Sequence, residues 1–252
     1  MIFKRALLLF ALSFSVVSNI HAETITINGE DDWSPYSSIT GDKKGVEGFA
    51  PEIVKAAFKT QGVTAEFKVL PYARCLDEVL KGDAIGCFDT VQDTDSQAKY
   101  LFHKTPLFEA NTVVFGPANS TEKITKISDL EGKTVGITNG YTYSTEFTTN
   151  TKIKKETNPS EKTQLEKIAI GRLAYGVIWQ MPGHDIIKKN PSLGGKVKEL
   201  GTISTDALFV NFSRKHKDGQ KYADIFEKGM AAIKADGTYK KLEDDFKKRV
   251  GL

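Results

Sequence analysis

The apolar and polar positions of this chain alternate between a period of two and a period of three to four. Short β-branched runs such as TITIN (24–28), TAEFKVL (64–70) and NTVVFGP (111–117) predict strands. Between the first two runs, FAPEIVKAAFKTQG (49–62) repeats its apolar residues at the spacing of an amphipathic helix. This strand–helix order predicts an α/β fold with a mostly parallel sheet covered by helices.

A second unit of strands and helices begins after the polar segment ANSTEK. KTVGITNG (133–140) predicts a strand that ends in a glycine loop, and YGVIW (175–179) predicts a buried strand. SEKTQLEKIAIGR (160–172) predicts a helix between them. ALFVNFS (207–213) predicts one more strand, and residues 220–249 predict helices. Residues 23–252 are therefore long enough for two small domains.

The N-terminus has the three-part pattern of a secretory signal peptide. Lys4 and Arg5 precede an apolar run from Ala6 to Val17, and Ala22 ends a plausible cleavage site. The alternative is a membrane anchor, but the run of about a dozen residues is shorter than the roughly 20 that span a bilayer. We therefore predict that residues 1–22 are removed and that the mature chain is soluble and periplasmic.

The charge of the chain is nearly balanced. Lysine and arginine total 35 and aspartate and glutamate total 32, a formal net charge of +3 that includes Lys4 and Arg5 of the signal peptide. Such a surface has no basic excess for binding phosphates, so we expect no nucleic-acid partner. We also expect the mature chain to be a monomer.

The two cysteines, Cys75 and Cys87, lie in the stretch PYARCLDEVLKGDAIGCFD. Cys75 is near the start of a predicted helix at 71–81, and Cys87 is near the end of a predicted strand at 84–88. Both ends lie at the carboxyl edge of a parallel sheet, and an exported protein meets oxidising conditions. We therefore predict a disulfide; the alternative is two buried free thiols that act as small apolar side chains. No histidine has metal-ligand spacing near them, so we expect neither a metal nor another cofactor.

Several segments follow one another in an order that resembles the family-3 extracellular solute-binding proteins, the periplasmic receptors typified by those for polar amino acids. The most specific are DLEGKTVGITNG and KADGTYKKL; the others are WSPYSS, LKGDAIGCFD, AKYLFHKTPLF and GRLAYGVIW. The resemblance implies a two-lobe periplasmic binding protein fold of type II, with two crossing hinge strands. Lobe 1 is then 23–114 plus 208–252, and lobe 2 is 115–207. Lobes of this kind close around a ligand like a flytrap.

The resemblance also implies ligand-binding residues in lobe 1. Trp33 lies in the loop where the family places an aromatic ring, and Glu30 is near an acidic pocket position; a core tryptophan and a surface acid are the alternatives. Asp89 and Thr90 follow a strand at whose end family members bind a carboxylate or an amine.

Two departures from the family pattern concern the residues that bind the charged groups of an α-amino acid. Gln97 stands where the family carries an arginine that binds the α-carboxylate, and Trp179 stands near the usual aspartate for the α-ammonium group. A neutral amide cannot form the charge-assisted pair of hydrogen bonds that arginine forms. Arg74, at a helix start beside Tyr72, is the candidate replacement cation; an exposed or salt-bridged arginine is the alternative.

In lobe 2 the turn TNGYT joins a strand to a helix. We expect its backbone amides to receive an anionic group, with Tyr141 packing on the ligand and Thr142 binding it by a hydrogen bond.

The resulting hypothesis is a non-catalytic protein that delivers a small-molecule ligand to an ABC transporter permease or a membrane sensor. The alternative is a periplasmic dehydratase on the same scaffold, with Glu30 as acid and base; a single carboxylate is weak support for it.

Overall fold

The computed structural model of the protein describes residues 23–251. Its strands, in chain order, are β1 (Glu23–Glu30), β2 (Asp32–Trp33), β3 (Ser37–Ile39), β4 (Val46–Glu47), β5 (Val63–Leu70), β6 (Gly86–Val91), β7 (Tyr100–Phe102), β8 (Phe108–Pro117), β9 (Thr134–Thr138), β10 (Lys154–Asn158), β11 (Tyr175–Trp179) and β12 (Val197–Ser213). Its α-helices are α1 (Phe49–Thr60), α2 (Tyr72–Lys81), α3 (Thr94–Lys99), α4 (Thr145–Thr149), α5 (Glu161–Ala169), α6 (Gln180–Lys189), α7 (Gly219–Ala235) and α8 (Thr238–Val250). The predicted signal peptide lies outside the described residues. Within those residues, no helix combines the length and the apolar character that a membrane crossing requires.

Within residues 23–251, the main sheet has nine strands and extends through both halves of the fold. Its order is β10-β9-β11-β8-β12-β6-β1-β5, with β7 paired to β12. Strands β5, β1 and β6 are parallel at one end, and β10, β9 and β11 are parallel at the other. Strands β8 and β12 join the two ends as antiparallel neighbours. The predicted α/β class with two crossing strands is therefore confirmed.

Apolar side chains form one core region on each side of β8 and β12, and the two regions meet at Trp179. The core around β1, α1 and α7 includes Ile27, Phe58 and Phe226. The cores around β9, β11 and α5 include Val135 and Leu165. We call the side with β1, β5 and β6 the first lobe and the side with β9, β10 and β11 the second lobe. Each lobe buries its own apolar surface, so each is a packed unit that strands β8 and β12 connect.

Strand β12 is longer than the predicted strand at 207–213, because it begins at Val197. Its pairing with β8 shifts register between Glu199 and Gly201, where the glycine has a φ of 151°. Bulges of this kind interrupt the alternation of apolar and polar side chains. The hydrophobic pattern therefore revealed only the last part of the strand.

The predicted disulfide between Cys75 and Cys87 is wrong, because both residues are free thiols in the structure. Their positions agree with the prediction: Cys75 is in α2, Cys87 is in β6, and both are fully buried in one cluster with Tyr72 and Val79. The two sulfur atoms lie 3.6 Å from different backbone carbonyls, those of Leu70 and Phe88. The pKa of the Cys87 thiol is raised well above its usual value, first by burial and second by a hydrogen bond with the neighbouring Cys75 side chain. The pair fills space as small apolar side chains, which was the alternative.

We predict that thiol titration without reductant finds two free thiols in the unfolded protein. In the native protein the reaction should be much slower, because both cysteines have no exposed surface and the reactive thiolate is disfavoured by burial. Ellman's reagent with and without denaturant measures both states. A count of zero in the unfolded protein would contradict the free-thiol arrangement.

Candidate ligand-binding site

Two carboxylates lie where neighbouring parallel strands of the first lobe end. Glu30 is the last residue of β1, and Asp89 lies near the end of β6. Because parallel strands end at one edge of a sheet, both residues face the crevice at that edge. Asp89 has a φ of 70°, in the left-handed region that aspartate and asparagine tolerate better than most residues.

The second lobe reaches these carboxylates from the turn after β9. The Tyr141 hydroxyl donates a hydrogen bond of 2.6 Å to Glu30 Oε1. The Thr142 hydroxyl accepts a hydrogen bond of 3.0 Å from the backbone N–H of Val91, at the end of β6. Both bonds join residues of different lobes, so they exist only while the lobes are closed.

Aromatic rings surround the carboxylates on several sides. Trp33, at the end of the short strand β2, meets Trp179, at the end of β11, edge to face with ring centroids 5.4 Å apart. Tyr72, at the start of α2, meets Tyr141 in the same manner, also at 5.4 Å. The indole N–H of Trp33 is buried and has no hydrogen-bond partner among the described residues. Each of these two ring pairs therefore consists of one aromatic residue from the first lobe and one from the second.

These residues enclose a cavity of about 10 Å³, which has room for at most one water molecule. Six of the nine predicted ligand-binding residues line the cavity: Glu30, Trp33, Asp89, Tyr141, Thr142 and Trp179. Tyr72 lines it as well. Tyr72 was not among the predicted residues, although its position at a helix start on the carboxyl edge was a usable signal. A solute can enter a space of this size only when the lobes separate.

The other three predicted residues do not line the cavity. Arg74 has a side chain that is 69% exposed, and its Nε lies 3.6 Å from Glu78 Oε1. Gln97 is exposed on α3. Thr90 is fully buried, and its hydroxyl shares a 2.9 Å hydrogen bond with the Tyr72 hydroxyl. Thr90 thus positions a ring of the cavity, whereas Arg74 adopts the salt-bridged arrangement that was its alternative.

Two backbone amides of the turn after β9 are bonded to backbone carbonyls. The N–H of Asn139 donates to the carbonyl of Asn158 at 2.8 Å, and the N–H of Tyr141 donates to the carbonyl of Thr138 at 3.2 Å. The following helix, α4, has only five residues, and the Ser144 side chain caps it. This turn positions Tyr141 and Thr142 at the cavity.

The cavity is acidic, and no basic side chain of the described residues pairs with its carboxyl groups. Burial raises the pKa of Asp89 well above its usual value, and burial, then repulsion by Asp89, does the same for Glu30. Glu161, at the start of α5, accepts the Trp179 backbone N–H at 2.8 Å. Burial raises the pKa of Glu161 to about 8. Within the described residues, no lysine, arginine or histidine lines this cavity, and no group of three or more His, Cys, Asp or Glu is placed to hold a metal ion.

A larger groove of about 800 Å³ runs between the start of α1, the start of α6 and the end of α8. Several charged side chains that line it already have partners. Arg249 binds Glu52 at 2.6 Å, and Asp185 binds Lys189 at 2.6 Å. The groove has the greater volume, but the small cavity holds Asp89, whose buried carboxylate oxygens have no hydrogen-bond partner among the described residues. We therefore regard the small cavity as the candidate site.

Two α/β lobes that are joined by paired strands and that meet around one buried cavity define a two-lobe binding protein of the periplasmic type. Residues 25–249 match the family described as bacterial extracellular solute-binding proteins, family 3. The chain belongs to this family, which confirms the resemblance seen in its sequence.

Individual relatives agree with this assignment. The chain is 25% identical over 238 residues to "ABC transporter arginine-binding protein 1" of Escherichia coli (strain K12), covering 89% of this chain and 91% of that protein. Among solved structures, an ancestral arginine-binding protein bound to arginine is similar with a TM-score of 0.73 and 21% identity, over 88% of this chain and 97% of that one. A histidine kinase sensor domain similar to periplasmic binding proteins has a TM-score of 0.75 and 18% identity, over 88% and 95%.

Proposed function

We propose that this protein captures a small polar or ring-bearing solute between its lobes and releases it chemically unchanged. The observation that carries the proposal is the cavity to which each lobe contributes three of the predicted residues: Glu30, Trp33 and Asp89 from the first, and Tyr141, Thr142 and Trp179 from the second. Cross-lobe contacts such as the bond between Tyr141 and Glu30 stabilise only the closed form. A solute that adds further contacts there shifts the protein toward closure.

We propose lobe boundaries at 23–114 plus 208–252 for the first lobe and at 115–207 for the second. The two core regions and the central position of β8 and β12 support this division. We further propose that residues 1–22 direct export and that the mature protein acts as a monomer in the periplasm. The family to which the chain belongs is extracellular, which is consistent with export.

The solute is handed to an ABC importer in this proposal. The relative from Escherichia coli is named as part of an ABC transporter, which supports transport. The similar histidine kinase domain is a sensor, so presentation to a membrane sensor is the second candidate. The family's usual α-amino-acid binding mode is not expected, because Gln97 replaces the arginine and is exposed.

The chain carries its own reporter of binding. It has two tryptophans in total, and both Trp33 and Trp179 line the cavity. Tryptophan fluorescence excited at 295 nm therefore reads out this site directly. We expect a saturable fluorescence change on titration of residues 23–252 with a panel of amino acids, amines, organic acids and sugars. At 100 times Kd the bound solute should stabilise the fold by about 2.7 kcal/mol, which raises Tm by roughly 5–10 °C.

The same titrations separate binding from catalysis. Mass spectrometry of the solute after overnight incubation should recover it unchanged, whereas a dehydratase would release water from it. The variant Thr142→Val, which removes the cross-lobe bond to Val91, should weaken binding with little effect on the lobes themselves. A panel in which no compound changes fluorescence or Tm, or in which a product accumulates, would refute the proposed function.

A further inference from the structure

The described residues that line the cavity combine buried acids with aromatic rings and include no lysine, arginine or histidine. Its carboxylates are Glu30 and Asp89, with Glu161 adjoining through Trp179. Resting on the proposed function, we propose that the solute is an organic cation, an ammonium or guanidinium compound, that has no carboxylate of its own. This class of solute excludes amino acids, including the arginine for which the relatives are named.

Asp89 gives the strongest argument for a cation. Both of its carboxylate oxygens are buried without a hydrogen-bond partner among the described residues, and the residue is only 5% exposed. A buried acceptor without a donor is costly to a folded protein and calls for a specific explanation. An ammonium or guanidinium group supplies several N–H donors together with the opposite charge.

Glu30 adds a second acceptor on the same wall. Its Oε1 receives the Tyr141 hydroxyl at 2.6 Å, a neutral donor from the other lobe. The negative charge of Glu30 is opposed by that of Asp89. A cation placed between the two carboxylates would be attracted by both and would relieve their repulsion. The pair is therefore better suited to a positively charged group than to a neutral one.

The aromatic rings suit the same class of ligand. Trp33 and Trp179 form one edge-to-face pair, and Tyr72 and Tyr141 form another. The faces of aromatic rings attract cations, and tryptophan does so most strongly. Rings from both lobes could enclose an alkylammonium or guanidinium group after the lobes open and close again.

Among the described residues, no cationic side chain lines this site to bind a carboxylate of the solute. Arg74 is exposed and lies beside Glu78. Lys189 is bound to Asp185 and to the hydroxyl of Ser34, with an exposed side chain. In the turn after β9, the backbone N–H groups of Asn139 and Tyr141 are bonded to backbone carbonyls. A carboxylate brought close to Glu30 and Asp89 would be repelled by both.

Matched pairs of probes test the inference, because each pair differs only by the α-carboxylate. The pairs are agmatine and arginine, cadaverine and lysine, and tyramine and tyrosine. Each probe is titrated into the wild-type protein at pH 8 with tryptophan fluorescence and Tm as readouts. We expect at least one decarboxylated probe to bind ten times or more tightly than its amino acid. Asp89→Asn and Glu30→Gln should each weaken that probe tenfold or more, whereas Glu66→Gln, at an exposed position on β5, should not.

The outcomes separate this inference from the proposed function. If an amino acid binds as tightly as its decarboxylated partner, or if only neutral or anionic compounds of the wider panel bind, the protein is still a solute-binding protein but the inference is wrong. Full affinity in Asp89→Asn, with a cooperative melting curve to show that the variant is folded, also overturns it. If no compound of any class binds, both proposals fail.

Discussion

Replacing Glu161 with glutamine is expected to raise the free energy of unfolding by several kcal/mol at pH 8 and to change it much less at pH 5.5. Glu161 is only 3% exposed, and burial raises its pKa from 4.5 to about 8. Its one described hydrogen bond comes from the Trp179 backbone N–H, at 2.8 Å. A glutamine side-chain oxygen can accept the same bond without carrying a charge.

The sign of the pH dependence follows from the raised pKa. The folded protein holds the Glu161 proton more tightly than the unfolded chain does, so stability falls as pH rises from the unfolded pKa toward the folded one. One pKa unit corresponds to about 1.4 kcal/mol, so this residue alone should cost about 3 kcal/mol between pH 5.5 and pH 8. Asp89 and Glu30, whose pKa values are also raised, should add to the decline.

Urea unfolding of the wild type, Glu161→Gln and Glu166→Gln at a series of pH values measures this effect. Glu166 lies on the same helix with a side chain that is 54% exposed, so its replacement controls for the loss of one charge from α5. Wild type and Glu166→Gln should lose stability together as pH rises, and Glu161→Gln should lose less. Parallel curves of unfolding free energy against pH for all three proteins would show that folding does not raise the pKa of Glu161.

Much of the fold could be predicted because its elements have strong local signals. The apolar residues of α1 repeat every three or four positions and are buried on one face, and Gly62, with a φ of 72°, follows its last turn. Strand β12 could be predicted only in part, since the shift at Gly201 depends on its pairing with β8. Local patterns carry little information about such long-range pairing.

The candidate site could be predicted where it depends on strand ends. Glu30 and Trp179 end parallel strands, and the carboxyl edge of such strands is a general location for ligands. Arg74 shows the limit of this reasoning. In a helix each residue turns by about 100°, so Tyr72 and Cys75 face inward while Arg74 points to solvent. When a helix is predicted correctly but its rotation about its own axis is unknown, the prediction places a residue near the site without telling whether its side chain points toward it.

Glu161 shows a second limit. After the N-cap Ser160, it looks like an ordinary acid in the first turn of a helix, where acids favour the helix dipole. Its burial depends on the packing of α5 against β11, which places Trp179 over it. Sequence patterns do not contain this information, so neither the burial of Glu161 nor its raised pKa could be predicted.

Replacing Gly140 with alanine should weaken solute binding tenfold or more by obstructing closure of the lobes. Gly140 lies in the turn after β9, and a methyl group there would lie 2.6 Å from Cβ and 3.0 Å from Cα of Ala73. Ala73 belongs to α2 in the first lobe, so the overlap arises between lobes. Overpacking of this kind costs about 1–3 kcal/mol, and every 1.4 kcal/mol lost from the closed form is a tenfold loss of affinity.

Gly132→Ala is the matched control, because it separates backbone strain from the clash between lobes. Gly132 has a φ of 79° and Gly140 one of 76°, but a methyl group at position 132 would meet no atom within 4 Å. Both variants should lose about 1 kcal/mol of stability from the left-handed backbone, measured by urea unfolding without solute. Only Gly140→Ala should also lose affinity in the tryptophan titration. Equal affinities in the two variants would mean that the lobes do not approach each other at Ala73 when the solute is bound.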